Sequence, residues 1–431
     1  MTRYWRFETS TVHAGYDHTE SQLSVAPPVY QTAAFAFEDA QHAIELFDGT
    51  RQGLVYSRIA NPSVQMLERR LATLEQGVGA VATASGQAAV SCAVLTLASA
   101  GSNIVSATAL YGTTYNLLGH VLPQYGIETR FADIRNLDQL RSLIDNKTCA
   151  LYCEIIANPA GDVTDISALA ELAHAAGIPL VVDNTLASPY LCQPIKHGAD
   201  IVVHSLTKYL GGHGAALGGA VVDSGTFDWG AHRDRFPRLT SPDDSHHGVN
   251  FLEKYGNRAY IVRCSSVPLR NLGAILSPQT AVSLMQGIET LALRMERICF
   301  NADLIANFLS QHPRVSWVSY AGLPTHRDAH LVETYLAGRG SGVLSFGLRG
   351  GLAACNAFQN ALTLIRRSVN LGDCKTLVCH PISTTHRQLR DKNLDEIGVT
   401  EDLVRISVGI EHIDDLLEDL DAALWASEGE A

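Results

Sequence analysis

The sequence predicts an α/β protein: a largely parallel sheet covered by helices on both faces, followed by a smaller α+β domain. Three observations carry this prediction. Short β-branched runs alternate with helical stretches between residues 61 and 260, the pattern of repeated strand–helix–strand units. Two of the runs, Pro179-Leu-Val-Val-Asp183 and Asp200-Ile-Val-Val-His204, are apolar between their ends, as in parallel strands buried on both sides. Past about Tyr260 the alternation stops, and long helical patterns precede short strands.

The elements follow in order. Residues 1–60 hold turn formers such as Pro27-Pro28 and little periodicity, so they are expected to form an extended arm lying against another body. Residues 61–260 form the predicted large domain. Asn61-Pro62 is an N-cap followed by proline at the first helical position. Val64, Leu67, Leu71 and Leu74 then share one face, with Gly77 as the expected C-cap. The run Asn103–Ser106 precedes a helical stretch at Tyr111–Tyr125, and Glu128–Ala132 precedes one at Leu137–Ile144. Ala150–Ile156 precedes the helix Asp165–Ala176, which Gly177 ends. Residues 261–431 form the predicted small domain, with helical Ala281–Ser310, strands Gly342–Leu348 and Val404–Val408, and a final amphipathic helix carrying Ile413, Leu416, Leu417 and Leu420. In such sheets, functional residues are expected at the carboxyl ends of strands.

Thirty-two Lys and Arg against 44 Asp and Glu leave a formal charge of −12, which argues against nucleic acid or an anionic membrane as partner. No apolar run reaches the roughly 18–20 residues of a membrane span; the longest, Ala88–Ala100, is broken by Ser91 and Ser99. The opening MTRYWRFETS lacks the apolar core of a secretory signal. The nine cysteines include no CxxC pair and read as reduced core thiols, so a cytoplasmic location is expected.

The most informative stretch is His204-Ser-Leu-Thr-Lys-Tyr-Leu-Gly-Gly-His-Gly214. Alone, its lysine reads as a surface residue in a glycine-rich turn. Two other features change that. Asp183 ends an equally apolar run, and Ser85-Gly-Gln-Ala-Ala89 is a small-residue turn that opens a helix. Pyridoxal phosphate has three needs that this set meets. Its aldehyde needs a lysine amine, its ring nitrogen a carboxylate, and its phosphate backbone amides at a helix N-terminus with hydroxyl donors. Lys208, Asp183, and Ser85 to Gln87 with Ser205 and Thr207 supply these in turn. Burial and a nearby cation would lower the lysine's pKa and favour the neutral amine.

From about His13 to Leu424 the chain resembles the Cys/Met-metabolism family of pyridoxal-phosphate enzymes. The resemblance rests on Tyr56-Ser-Arg-Ile-Ala-Asn-Pro62, Ala84-Ser-Gly-Gln-Ala-Ala89, Val182-Asp-Asn-Thr185 and His204-Ser-Leu-Thr-Lys208, which occur in order. Ala82-Thr-Ala-Ser-Gly-Gln-Ala-Ala89, Phe227-Asp-Trp-Gly230, Leu371-Gly-Asp-Cys-Lys-Thr-Leu377 and His380-Pro-Ile-Ser-Thr-Thr-His386 are most similar to its O-acetylhomoserine sulfhydrylase branch. The resemblance implies the aminotransferase-like fold type I. It implies that Lys208 holds the cofactor and moves protons, Asp183 pairs with the ring nitrogen, and Tyr111 stacks on the ring as a candidate acid/base. Gly86, Gln87, Ser205 and Thr207 would hold the phosphate, joined by Tyr56 and Arg58 from a neighbouring subunit. Arg405 would clamp the substrate carboxylate, with Asn158 and Asn370 also at the substrate.

The implied reaction is γ-replacement on O-acetyl-L-homoserine: acetate leaves, and sulfide gives homocysteine or methanethiol gives methionine. One alternative is a γ-lyase acting on methionine or cystathionine; methionine γ-lyases typically carry cysteine where Thr113 stands. Another is a carbon nucleophile, since Ile155-Ile-Ala157, Pro62-Ser63 and Val369-Asn370 depart from the sulfhydrylase pattern. A catalytically silent assembly protein is a third, opposed by retention of every chemical residue named. The implied partners are a small amino-acid substrate and further copies of the chain, two two-fold dimers making a homotetramer. His326-Arg-Asp-Ala-His330 has metal-like spacing but lacks the HExxH glutamate and a third ligand, so no metal is expected.

Overall fold

The structure, a computed structural model, describes residues 5–158, 161–384 and 400–427. Thr385 and His386 of the motif at His380, and Pro159 after Asn158, lie outside the described residues.

Seven strands make the first sheet: β1 (Gly79–Thr83), β2 (Asn103–Ala107), β3 (Glu128–Ala132), β4 (Thr148–Glu154), β5 (Leu180–Asp183), β6 (Ile201–Ser205) and β7 (Gly219–Asp223). Their spatial order is β1-β7-β6-β5-β4-β2-β3. β2 through β6 pair in parallel, and β7 runs antiparallel between β6 and β1. Every residue of β2, β4 and β7 is buried, which is why these runs read as apolar throughout instead of alternating. The sheet directs the carboxyl ends of β4, β5 and β6 toward one edge of the body, where the site forms.

Helix ends follow local chemistry. Asn61 caps the helix Pro62–Glu75 by accepting from the Ser63 amide. At its other end the expected Gly77 is not the turning residue: Gln76 takes the left-handed conformation, φ 62°. The Gly77 amide then reaches back to the Ala72 carbonyl at 2.8 Å, the closing bond of a Schellman turn. The stretch expected as one helix over Tyr111–Tyr125 divides into an α-turn Gly112–Asn116, a wider π-turn Leu117–Val121 and a 3-10 turn Leu122–Tyr125. Pro123 has no amide to continue a regular ladder.

The arm is not uniform. Helix Phe7–His13 packs on Pro62–Glu75, and buried Arg70 fastens the two, donating from Nε to the Ala14 carbonyl at 2.9 Å and from Nη2 to Val12 at 3.0 Å. Beyond it, Leu23, Val25, Ile44 and Phe47 stand exposed.

The second sheet contains β8 (Val315–Ser319), β9 (Val343–Leu348), β10 (Arg366–Arg367), β11 (Leu377–Cys379) and β12 (Leu403–Ser407), in the order β10-β11-β12-β9-β8. Only β10 and β11 pair in parallel. Phe346, Phe358, Ile406 and Leu420 lie in its core, under the helices Gly351–Ala361 and Ile413–Ala426. The helix Leu291–Gln311 serves both bodies: residues up to Cys299 join the core of the first sheet, and those from Ala302 join the second. From this helix, Arg294 donates to the carbonyls of Tyr209 at 2.7 Å and Gly287 at 2.6 Å. At Gly287 a Cβ would lie 2.2 Å from the Gly211 oxygen, so the turn after Lys208 and the preceding helix Pro278–Glu289 touch backbone to backbone. All nine cysteines are free, and all except Cys374 are buried.

Candidate active site

A cavity opens where β4, β5 and β6 end, between the helix Gly86–Leu97 and the inner edge of the second sheet. Its anion corner is built from backbone. Ser85 caps the helix, its Oγ accepting the Ala88 amide at 3.2 Å. The amides of Gly86 and Gln87 remain, and the first turn of a helix gives them no internal acceptor. A Cβ at Gly86 would sit 2.7 Å from the Ser205 Cβ, so only glycine lets the strand end approach this closely. Thr207 Oγ accepts the Gly218 amide at 3.0 Å, and the Ser205 amide donates to Thr185 Oγ at 2.8 Å. Gln87 Nε2 donates to Thr114 Oγ at 2.8 Å.

Lys208 enters the cavity just past β6. Its Nζ donates to Asn370 Oδ1 at 2.6 Å. Burial, then the charge of Arg405, brings its pKa down to about 8, so the neutral amine is accessible near physiological pH. Asp183, at the end of β5, accepts the Thr185 amide at 2.9 Å and the Tyr152 hydroxyl at 3.5 Å. Burial raises its pKa, opposed by the hydrogen bonds from Thr185. Behind it, fully buried His204 meets Glu75 Oε1 at 2.6 Å, and Asn184 Nδ2 donates to the same oxygen at 2.8 Å.

Arg405 occupies the middle of the second sheet on β12, opposite Cys379 on β11 and Ser345 on β9, and is 3% exposed. Its Nη1 donates to Asn158 Oδ1 at 3.3 Å, and its Nη2 to the carbonyls of Val369 and Asn370 at 3.0 and 3.1 Å. The buried Nε has no protein acceptor among the described residues. Asn370 thus holds the lysine with its side chain and the guanidinium with its backbone.

The fold brings Lys208, Asp183, Tyr111, Gly86, Gln87, Ser205, Thr207, Asn158 and Arg405 to one cavity. Tyr56 and Arg58 are elsewhere: Arg58 donates to the Arg270 carbonyl at 2.9 Å and lies 5.5 Å from the Tyr56 ring centre. Sequence reasoning missed Glu154, which lines the cavity and accepts the Tyr111 amide at 2.6 Å. Its signal was available, since it closes a buried apolar strand as Asp183 does. Asp162, His326 and Asp328 offer ligand atoms within 4.8 Å of one another. Arg135 lies 2.7 Å from Asp328 and Arg327 2.5 Å from Asp162, which neutralises both carboxylates.

A lysine amine, a buried carboxylate and a cradle that only glycine permits fit pyridoxal phosphate. Residues 8–425 match the model of the Cys/Met metabolism PLP-dependent enzymes. The chain is 47% identical over 419 residues to a homocysteine synthase of Schizosaccharomyces pombe, covering 97% of this chain and 98% of that one. It is 44% identical over 433 residues to an O-acetyl-L-homoserine sulfhydrylase of Leptospira meyeri, covering 98% of each. A Campylobacter jejuni structure described as an O-acetylhomoserine (thiol)-lyase, solved with a pyridoxyl-lysine monophosphate, superposes with a TM-score of 0.94 at 38% identity, covering 98% of this chain and 100% of that one. The protein belongs to the Cys/Met metabolism family of PLP-dependent enzymes.

Proposed function

We propose that this enzyme replaces the γ-substituent of O-acetyl-L-homoserine, releasing acetate and adding sulfide to form homocysteine, or methanethiol to form methionine. The observation that carries the proposal is the placement of Lys208 and Arg405 in one cavity, tied through Asn370. Relatives of the same length with sulfhydrylase and synthase names support it. Bound pyridoxal phosphate supplies an electron sink that acidifies the substrate's Cα and Cβ hydrogens.

The chain's residues then do the following. Lys208 would hold the cofactor through its ε-amine. As a free amine it would take the Cα proton, deliver it to C4′ and so become neutral again, and only then take a Cβ proton, so that acetate can leave Cγ. Arg405 forks onto the substrate carboxylate, a planar two-point contact that lysine cannot reproduce, with Asn158 and Asn370 steadying it. Asp183 pairs with the ring nitrogen. Tyr111, which lines the cavity, would stack on the ring and serve as an acid/base near the leaving group. Gly86, Gln87, Ser205 and Thr207 bind the phosphate, completed by Tyr56 and Arg58 of a neighbouring copy. The copies form two-fold dimers that pair into a homotetramer. The free, mostly buried thiols support a reducing, cytoplasmic setting.

The acceptor is the part most open to change, because Ile156 and Val369 both line the cavity and both depart from the sulfhydrylase pattern. Purified enzyme given O-acetylhomoserine with sulfide, methanethiol or small carbon acids decides the matter. Homocysteine or methionine is expected; 2-oxobutyrate and ammonia with every acceptor would make it a γ-lyase instead.

A further inference from the structure

Glu154 and Asp183 end adjacent parallel strands as Cα partners, so their side chains leave the sheet on the same face, side by side, and both line the cavity. Glu154 is 7% exposed. Its Oε1 accepts the Tyr111 amide at 2.6 Å, and the Asn158 amide also donates to its carboxyl group. Among the described residues no lysine, arginine or histidine forms an ion pair with it. Asp183 is served differently. It accepts the Thr185 amide and the Tyr152 hydroxyl, with the buried His204 ring behind it. Lys208 and Arg405, the cations of the cavity, are tied to Asn370 and to Asn158. Two adjoining buried carboxyl groups cannot both ionise cheaply. Asp183 has three donors, the Thr185 amide and hydroxyl and the Tyr152 hydroxyl, with the His204 ring behind it, against two main-chain amides at Glu154, so Glu154 keeps the proton.

We propose that Glu154 works as an uncharged carboxylic acid, a positioning residue whose carbonyl oxygen fixes the Tyr111 main chain beside the cofactor while Asp183 alone carries the pair's negative charge. This rests on the assignment of Asp183 to the ring nitrogen. Burial and the Asp183 charge both push the Glu154 carboxyl well above its ordinary range. A proton on Oε2 leaves Oε1 free to accept, which is the bond observed. An ionised Glu154 would instead set a second negative charge beside the ring and hold protons on both the ring and the lysine linkage.

The test is a spectrophotometric pH titration of the visible band of the lysine-bound cofactor, with cofactor affinity measured alongside. Glu154→Gln keeps a neutral side chain and an acceptor oxygen. Its titration midpoint should stay within about 0.3 pH unit of wild type, and its cofactor Kd within about threefold. Glu154→Ala loses the acceptor, and its kcat should fall about tenfold or more below that of Glu154→Gln. A midpoint shift of about one unit or more in Glu154→Gln means that a charge was removed, and overturns the inference. Equal kcat values for the two variants overturn the positioning role. Should Glu154→Ala fail to fold, apoenzyme stability gives a second measure. A carboxyl kept protonated by folding contributes stability below its unfolded value of 4.5 that is lost as pH rises, so Glu154→Gln should flatten that decline. Asp183→Asn separates the two ideas: if it retains wild-type affinity and spectrum, the assignment of Asp183 fails and Glu154 is not to blame.

Discussion

Lys208 sits where burial and the Arg405 guanidinium both oppose its protonation. A lysine depressed from 10.5 to about 8 contributes stability above its unfolded value that is lost as pH falls through the folded one. Cofactor-free Lys208→Met should therefore be more stable than cofactor-free wild type at pH 7, by about 3 kcal/mol. The difference should vanish above about pH 10, and denaturant unfolding across pH measures it. Arg405→Lys keeps the charge but loses the fork; KM for O-acetylhomoserine should rise about 10–100-fold with kcat less affected, and an unchanged KM would place the carboxylate elsewhere. Which side chains line the cavity was partly legible in the sequence. Lys208 and Asp183 stood out because a charge at the end of an apolar run is conspicuous. Glu154 was just as conspicuous in position, but its partner is a backbone amide 43 residues away, and no local pattern announces such a contact. The bridging of Lys208 and Arg405 by Asn370 was illegible for the same reason, since it joins two sheets.

Among the elements, the helix Pro62–Glu75 shows how much one capping residue carries. Asn61 Oδ1 accepts the Ser63 amide at 3.0 Å while its Nδ2 donates to the Tyr30 carbonyl at 2.9 Å. Asn61→Ala thus removes a cap and an arm tether together. Unfolding free energy should fall by about 1–2 kcal/mol, and thermal or urea denaturation reads it directly. The buried strands were legible because unbroken apolar runs have few other uses in a chain of this composition. The C-cap and the divided helix after Tyr111 were not. Glycine is the usual left-handed residue, so Gly77 was favoured over Gln76, and periodicity carried the helix on through Pro123. Local propensity yields in both places to how the next strand must be approached.

At the scale of the molecule, Tyr56 and Arg58 stand outside the cavity of their own chain. If they complete a neighbour's site, mixing Arg58→Ala subunits with Lys208→Ala subunits should restore part of the activity that each lacks alone. Random pairing leaves one intact site in about half of the dimers, so about a quarter of wild-type turnover is expected, and none in verified mixed dimers would count against shared sites. The change of texture after Tyr260 is what suggested a second body beginning there. The packing passes over that point, because the helix Leu291–Gln311 contributes one half to each core, and a continuous amphipathic helix gives no sign of where its partner changes.

The contact of Gly287 with the Gly211 carbonyl has an evolutionary corollary. A lining residue such as the exposed Val369 can vary without moving the backbone. Any side chain at 287, far from substrate, would instead shove the lysine turn out of register. Loss-of-function alleles should therefore include substitutions of Gly287 itself, on a helix that does not line the cavity, and supplementing vitamin B6 should not rescue them.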